Sequence, residues 1–233
     1  MISFSEEEIS AIILSFKIAF TASILSLPFG IFLGYIFARK NFLLKSFLIS
    51  FINLPLILPP VVTGYLLLIF FGNNGFAGKI LMNYFNFSIA FKWTGAAFAC
   101  AIMGFPLMVR SIKLAIEMVD LKLEQAAKTL GANSFYVLYS VTLPIAFPGI
   151  LVGATLSFAR SLGEFGATIT FVSNIPGETQ TLSSAIYTFL QIPNGEYMAM
   201  RLTIISIFIS IAALLISEYI LEKLYKKKLS KNE

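Results

Sequence analysis

Long runs of uncharged, mostly hydrocarbon side chains dominate this sequence. Residues 18–38, 46–78 and 129–159 contain no charged side chain, and residues 93–109 and 202–217 are shorter runs of the same kind. A helix needs about 20 apolar residues to cross the hydrocarbon core of a bilayer. Charged residues make up only 12% of the 233-residue chain, against about 25% in a soluble globular protein. The chain is therefore predicted to be an integral membrane protein.

The apolar runs predict helices, because backbone polar groups in hydrocarbon must be paired within their own segment. We expect five membrane helices within residues 9–222, followed by a basic cytoplasmic tail at 223–233. Their expected bounds are 9–38, 47–71, 93–116, 145–172 and 199–222. The apolar segment 182–192 is too short to cross a bilayer, so we expect it to be re-entrant or interfacial on the outer side. The predicted fold class is all-α, with five transmembrane helices.

Basic residues orient these spans, because cytoplasmic segments of membrane proteins carry an excess of Lys and Arg. If the N-terminus is outside, most basic side chains fall on the cytoplasmic side: Arg39, Lys40, Lys45, Arg110, Lys113, Lys122, Lys128, Lys223, Lys226, Lys227, Lys228 and Lys231. The outer segments hold Lys79 and Lys92, with Arg201 at the border. We therefore predict that the N-terminus lies outside and the C-terminus in the cytoplasm.

Prolines and glycines are expected to interrupt the spans, because each proline removes a backbone donor and disfavours a straight helix. The positions concerned are Pro28, Gly30, Pro55, Pro59, Pro60, Gly104, Pro106, Pro148 and Gly149. Two interpretations remain open. The prolines either kink the helices without further consequence, or the segment Pro55–Thr63 lines or gates a pathway through the membrane.

The polar segment 120–144 separates two of the apolar runs and is predicted to form two short cytoplasmic helices. Apolar residues recur along it at helical spacing: Leu121, Leu123, Ala126, Ala127 and Leu130. Asp120 is the expected N-cap, and Gly131 is the expected C-terminal stop because glycine accepts the left-handed conformation. Asn133 or Ser134 is expected to cap the second helix. Pro144 is expected to start the next span.

This segment resembles the cytoplasmic loop shared by permease subunits of ABC importers. That loop reads E-A-A, three residues, G, nine residues, I, one residue, L-P. The corresponding residues here are Gln125, Ala126, Ala127, Gly131, Val141, Leu143 and Pro144, preceded by Glu124, with Gln in place of Glu and Val in place of Ile. The resemblance implies a type I ABC importer permease fold in a bacterial or archaeal cytoplasmic membrane. It also implies that the loop docks on an ATP-binding subunit.

The same resemblance implies the partners of the chain. They are a dimer of ABC ATP-binding subunits, a second copy of this permease, an extracytoplasmic binding protein and the lipid bilayer. No nucleic acid is expected as a partner, because the placement of the basic residues is explained by membrane orientation. The sequence contains no Gly-x-x-x-x-Gly-Lys-Ser/Thr motif, so we expect no enzyme activity and no cofactor on this chain, with ATP and Mg²⁺ held by the ATP-binding subunit. The absence of His and the presence of one Cys exclude a His/Cys metal site and an internal disulfide.

A second resemblance concerns residues 157–181, SFARSLGEFGATITFVSNIPGETQT, and the following LSSAIYTFLQ. They are similar to the molybdate permease subunits, which carry ARxLGEFGAT and NxPGxTQTLxxAIY. The resemblance implies translocation of molybdate, or of tungstate, which has nearly the same size and charge. The alternatives are a sulfate or thiosulfate ABC permease subunit and an ion-coupled secondary carrier. An integral membrane enzyme is disfavoured, because neither a His nor a convincing acid pair is present.

Candidate residues for the translocation pathway are prolines at an expected interruption, small hydroxyl residues, and two charges within a span. They are Pro59, Pro60, Thr63, Ser157, Arg160, Ser161, Glu164 and Thr168. Arg160 and Glu164 are four residues apart, so they share a helix face and can pair. The pair is either a structural ion pair at a subunit contact, or Arg160 biases the cavity toward anions while Glu164 prevents their trapping. The hydroxyl residues line the pathway or serve helix packing.

Overall fold

The computed structural model describes residues 4–229. Within them the chain folds into helices joined by short turns, and residues 230–233 of the predicted tail lie outside the described part. The helices are α1 (Glu6–Arg39), α2 (Lys45–Ile57), α3 (Pro60–Phe71), α4 (Phe76–Phe85), α5 (Trp93–Glu117), α6 (Leu121–Thr129), α7 (Ser134–Val137), a π-helical turn (Leu138–Thr142), α8 (Leu143–Leu162), α9 (Gly166–Val172), α10 (Leu182–Phe189) and α11 (Glu196–Leu229).

Helices α1, α5 and α8 form the central bundle. Small residues bring them close together: a Cβ added at Gly34 of α1 would lie 2.7 Å from a methyl carbon of Ile112 in α5. The α5–α8 contact is similar, because a Cβ at Gly104 would lie 2.5 Å from Oγ of Ser157. Such glycines are typical of membrane helices that pack through their backbones.

The second predicted span, 47–71, is not one straight helix. It consists of α2 and α3, whose axes are bent by 112° at Leu58–Pro59. Leu58 is extended because the following proline disfavours helical backbone there, and Pro60 then occupies the first turn of α3. Four helices of the described chain are long and apolar enough to cross a membrane, or five if the bent pair counts as one span.

The predicted span 145–172 is also wrong as a single helix. It ends at Leu162 and resumes as α9 after a break at residues 163–165. Gly163 terminates α8, and its N–H donates to the carbonyl of Ala159 at 3.3 Å. The carboxylate of Glu164 accepts a hydrogen bond from the N–H of Ala167 at 2.8 Å, which caps the first turn of α9.

Most of the prolines that were expected to interrupt the spans do not do so. Pro28, Pro55, Pro106 and Pro148 lie inside continuous helices. Among the described prolines, only the pair Pro59–Pro60 coincides with a sharp bend within a predicted span. Neighbouring helices can accommodate single prolines in a membrane. Pro59 and Pro60 together remove two successive backbone donors and disfavour helical backbone at both Leu58 and Pro59.

The segment predicted to be re-entrant or interfacial contains α10. It packs on α1 and on the first part of α11, and its apolar side chains Leu182, Ala185 and Phe189 are buried there. Helix α11 continues without a break to Leu229, so the predicted basic tail from residue 223 begins as part of a helix. The short helix α4, between the second and third predicted spans, was not expected from the sequence.

Candidate functional site

The polar segment 120–144 forms a helical loop whose local signals are the predicted ones. The carboxylate of Asp120 accepts a hydrogen bond from the N–H of Lys122 at 2.9 Å and caps α6. Gly131 has a φ of 87°, which glycine alone adopts without strain. The side-chain carbonyl of Asn133 accepts from the N–H of Tyr136 at 2.7 Å and caps α7. The predicted caps of both short helices are therefore confirmed.

Pro144 lies at the start of α8, as expected, but α8 is not separated from the second short helix. Helix α7 continues through the π-helical turn into α8, so Ser134–Leu162 forms one helical stretch. Pro144 lies in the first turn of α8, where it cannot donate a hydrogen bond to the carbonyl four residues earlier. The turn before it is π-helical, because the N–H of Leu143 donates to the carbonyl of Leu138, five residues earlier. The second short helix is thus continuous with the span that follows it.

This loop exposes large apolar side chains: Leu121, Leu123, Leu130, Phe135, Tyr136 and Tyr139. Gln125 and Ala126 are exposed beside them, as are Gly131 and Pro144, while Ala127 and Leu143 are half-buried. We call this set of residues the coupling surface. Several large exposed apolar side chains close together in sequence on a polar loop are typical of a protein–protein interface.

Glu124 of the predicted loop does not belong to the coupling surface, because its side chain is buried. Its Oε1 accepts from Nε of Arg39 at 3.0 Å, from Nη2 of Arg39 at 2.8 Å and from the hydroxyl of Thr142 at 2.9 Å. Nη2 of Arg39 also donates to the carbonyl of Val119 at 2.8 Å. Sequence reasoning did not identify Arg39 or Thr142 as partners of Glu124, because 85 residues separate Arg39 from it.

The predicted pathway residues fall into two groups. Pro59 and Pro60 lie at the bend between α2 and α3, and this bend meets the break between α8 and α9. A Cβ added at Gly166 would lie 2.8 Å from Cβ of Pro60. The structure therefore brings both interrupted helices together at their interruptions. In membrane transporters, interrupted helices with freed backbone groups are typical of the transport site.

The Arg160–Glu164 pair lies at the same break. Nη1 of Arg160 is 2.6 Å from Oε2 of Glu164, and their side chains are 27% and 1% exposed. Since the other oxygen of Glu164 caps α9, this carboxylate links the end of α8 to the start of α9. Thr168, in the first turn of α9, donates its hydroxyl to the carbonyl of Phe165 at 3.0 Å.

Ser157 and Ser161 form the second group and lie in the contact between α8 and α5. Both are buried, and the hydroxyl of Ser161 donates to the carbonyl of Ser157 at 2.8 Å. Thr63 is buried on α3. The hydroxyls of Thr63 and Ser157 have no hydrogen-bond partner among the described residues. Thr63 and Ser157 fit helix packing within one chain. Ser161 adjoins the Arg160–Glu164 pair, because its carbonyl accepts a hydrogen bond from the N–H of Glu164 at 3.3 Å.

Two further charged contacts in the N-terminal half of α1 have no local sequence signal. Nη2 of Arg201, at the start of α11, lies 2.9 Å from Oε2 of the fully buried Glu8 in α1. Nζ of Lys17 lies over the ring of Trp93, 3.7 Å from its centroid. Both contacts join helices that are distant in sequence and hold the N-terminal half of α1 against α5 and α11.

Apolar helices, two adjacent interrupted spans and a polar helical loop with exposed apolar side chains together define a membrane transport permease. The chain belongs to the family of binding-protein-dependent transport system inner membrane components, whose pattern it matches over residues 26–228.

Curated relatives cover nearly the whole chain. It is 56% identical over 216 residues to the molybdenum transport system permease protein ModB of Escherichia coli (strain K12), covering 93% of this chain and 94% of that protein. It is 52% identical to the ModB protein of Haemophilus influenzae, covering 94% and 96%. The sulfate transport system permease protein CysT of Escherichia coli (strain K12) is 38% identical over 74% of this chain and 62% of that protein.

Solved structures show the same fold at low sequence identity. A chain of the MetNI methionine ABC transporter, in inward-facing conformations, matches with a TM-score of 0.72 at 13% identity, covering 95% of this chain and 99% of that chain. The helix arrangement is therefore that of the permeases of type I ABC importers.

Proposed function

We propose that this chain is the membrane-spanning subunit of an ATP-driven importer that carries molybdate across the cytoplasmic membrane of a bacterium or archaeon. The observation that carries the proposal is the 56% identity to a molybdenum transport permease over 93% of the chain. The exposed coupling surface and the adjacent interrupted helices supply the two parts that such a subunit needs: a docking face and a transport site.

Molybdate is favoured over sulfate because the relatives differ in both identity and coverage. Within one organism the molybdenum permease is 56% identical and the sulfate permease 38% identical, over 93% and 74% of this chain. Tungstate has nearly the same size and charge as molybdate, and we expect the same pathway to accept it. Discrimination between these oxyanions then falls largely to an external binding protein.

ATP is proposed to act through the coupling surface. The sequence carries no P-loop motif, so the nucleotide site belongs to a separate ATP-binding subunit. A cleft on that subunit covers the exposed apolar side chains of α6 and α7, and this burial supplies the binding energy. Two copies of this chain form the pore, because a pore between two copies needs fewer helices from each. Each copy then docks one ATP-binding subunit.

The transport site is proposed to lie where the bend at Pro59–Pro60 meets the break after Leu162. A dianion in a low-dielectric site is costly unless charge or hydrogen-bond donors meet it. Arg160 is partly exposed at this point and supplies positive charge, while Glu164 neutralises it. Such a balance lets an anion pass without being trapped. A permease that releases its cargo needs this weak hold, in contrast to the external binding protein.

Transport by reconstituted vesicles tests the proposal. The chain, the ATP-binding subunit and the binding protein are assembled with ATP on the cytoplasmic side, and uptake of labelled molybdate, tungstate and sulfate is compared. We expect ATP-dependent uptake of molybdate, with competition from tungstate and little uptake of sulfate. Faster uptake of sulfate would favour a sulfate permease. Full-rate uptake without the ATP-binding subunit would favour an ion-coupled carrier.

Docking is tested separately by co-purification. Ala126→Arg places a charge on the exposed coupling surface, so the ATP-binding subunit is expected to dissociate from the variant. Lys79→Arg, at an exposed site on α4, serves as the matched control, because the predicted topology puts α4 on the outer side. Equal recovery of the ATP-binding subunit with both variants contradicts the proposed docking face.

A further inference from the structure

The buried ion pair between Arg39 and Glu124 is the strongest feature that the proposed docking face and pathway do not use. We define the clasp as Arg39, Val119, Glu124 and Thr142. One carboxylate oxygen of Glu124 accepts three hydrogen bonds of 2.8–3.0 Å, two from Arg39 and one from Thr142. The side chains of Arg39 and Glu124 are only 10% and 7% exposed.

The clasp joins four separate segments of the chain. Arg39 ends α1, Val119 lies between α5 and α6, Glu124 lies on α6, and Thr142 ends the π-helical turn that leads into α8. Helix α6 makes its main helix contacts with α7 and the π-helical turn, which belong to the same loop. The clasp therefore supplies the side-chain link from α6 to the first span.

We propose that Glu124 is a positioning residue that makes α6 move as one body with the cytoplasmic end of α1 and the start of α8. The inference rests on the proposed function, because it assumes that an ATP-binding subunit displaces α6. Separating a buried ion pair leaves uncompensated charge in a low-dielectric site. A displacement of α6 is therefore transmitted to both spans and is not absorbed by bending of the loop.

Three substitutions isolate the clasp from general packing. Glu124→Gln removes the charge at nearly constant volume. Thr142→Val removes only the hydroxyl that donates to Glu124, whereas Thr142→Ser retains it and serves as the conservative rescue. Glu117→Gln is the matched control, because Glu117 pairs with Lys113 at 3.2 Å on the nearby end of α5 but is 39% exposed.

The diagnostic measurement is the number of molybdate ions accumulated per ATP hydrolysed by the reconstituted complex. We expect Glu124→Gln to lower this ratio about threefold or more, within the range for mutations along a coupling route, and Thr142→Val to lower it less. Thr142→Ser and Glu117→Gln are expected to keep the parental ratio. The inference is overturned if Glu124→Gln and Thr142→Val also keep the parental ratio, even when the rates of uptake and of ATP hydrolysis both fall. If the Glu124→Gln variant fails to assemble, the ratio measured for Thr142→Val decides the question.

A second measurement does not depend on the transported ion. Spin labels are attached at Lys40→Cys and Lys122→Cys, which are exposed positions on either side of the clasp. The native Cys100 is fully buried, so it does not compete for the label. We expect the distance between labels to stay constant when ATP binds the parental complex and to shift or broaden in the Glu124→Gln variant. If the distance between the labels stays constant in both the parental and the Glu124→Gln complexes, the inference is overturned. If the parental complex hydrolyses ATP but carries no molybdate, the proposed substrate is wrong and this comparison still tests the clasp.

Discussion

Gly64 of α3 packs directly against the backbone of Ala167 in α9. A Cβ added at Gly64 would lie 2.5 Å from the carbonyl oxygen of Ala167 and 2.8 Å from its Cα. Backbone atoms cannot move aside as the end of a flexible side chain can. The contact therefore requires glycine, and it fixes the helix that follows the bend at Pro59–Pro60 against the helix that follows the break at residues 163–165.

Gly64→Ala is expected to push α3 and α9 apart. Overpacking of this kind costs about 1–3 kcal/mol, so the variant should unfold at a lower temperature in detergent and import molybdate more slowly. Gly163→Ala adds the same methyl group with no atom closer than 3.9 Å and serves as the control for thermal stability. Equal unfolding temperatures of the two variants would show that the close contact does not affect stability.

Neutralising Arg160 is expected to affect both stability and transport. Arg160→Gln leaves the buried carboxylate of Glu164 without its counter-charge, a change that costs about 3–5 kcal/mol in buried pairs. The double variant with Glu164→Gln removes both charges and retains an amide oxygen that can cap α9. We expect thermal unfolding to show recovered stability in the double variant, with molybdate uptake still low.

The double variant separates the two interpretations of this pair. If it imports molybdate at the parental rate, Arg160 serves only as a structural counter-ion. Persistently slow uptake by a stable, assembled complex supports a direct effect of the positive charge on the anion.

Gly131→Ala is expected to weaken the attachment of the ATP-binding subunit. Gly131 has a φ of 87°, and no atom lies within 4 Å of an added Cβ, so the substitution introduces backbone strain without a clash. This strain costs about 1–2 kcal/mol. Gly177→Ala is the matched control, because Gly177 has a φ of 77° and equally open surroundings, and the predicted topology places it on the outer side. Co-purification should fall for Gly131→Ala alone, and an equal fall for both would contradict a local role.

Lys17→Gln is expected to change the fluorescence of Trp93, the sole tryptophan of the chain. The ammonium group lies 3.7 Å from the ring centroid, and a cation–π contact of this kind contributes about 0.5–2 kcal/mol. Emission spectra and thermal unfolding measure the loss. Lys79→Gln removes an exposed charge elsewhere and should leave both unchanged. Identical spectra for the two variants would show that Lys17 does not contact the ring in the folded protein.

Features of the fold that depend on a few neighbouring residues could be predicted from the sequence. The caps at Asp120 and Asn133 and the stop at Gly131 follow from chemistry within three residues. The Arg160–Glu164 pair was predicted from a four-residue spacing on one helix. The pair forms, although Glu164 lies beyond the end of α8, in the break at residues 163–165. The apolar runs predicted helices, because no other local structure satisfies a backbone in lipid.

Features that depend on distant neighbours could not be predicted. Arg39 is 85 residues from Glu124, and Glu8 is 193 residues from Arg201. No local pattern indicates which carboxylate each arginine meets. The prolines illustrate the same limit, because Pro106 and Pro148 stay inside helices while Pro59 and Pro60 bend one. Whether a proline breaks a helix depends on the helices packed beside it.

Helix α11 lies at the edge of the bundle formed by α1, α5 and α8. In its most apolar stretch only 6% of the residues are buried, against 50% in α5. Acyl chains solvate such a helix about as well as protein does, so withdrawing it from the bundle sacrifices little hydrophobic stabilisation. The position of the last helix is thus fixed less by contacts within this chain than that of α1 or α5, while its backbone hydrogen bonds stay paired in the lipid.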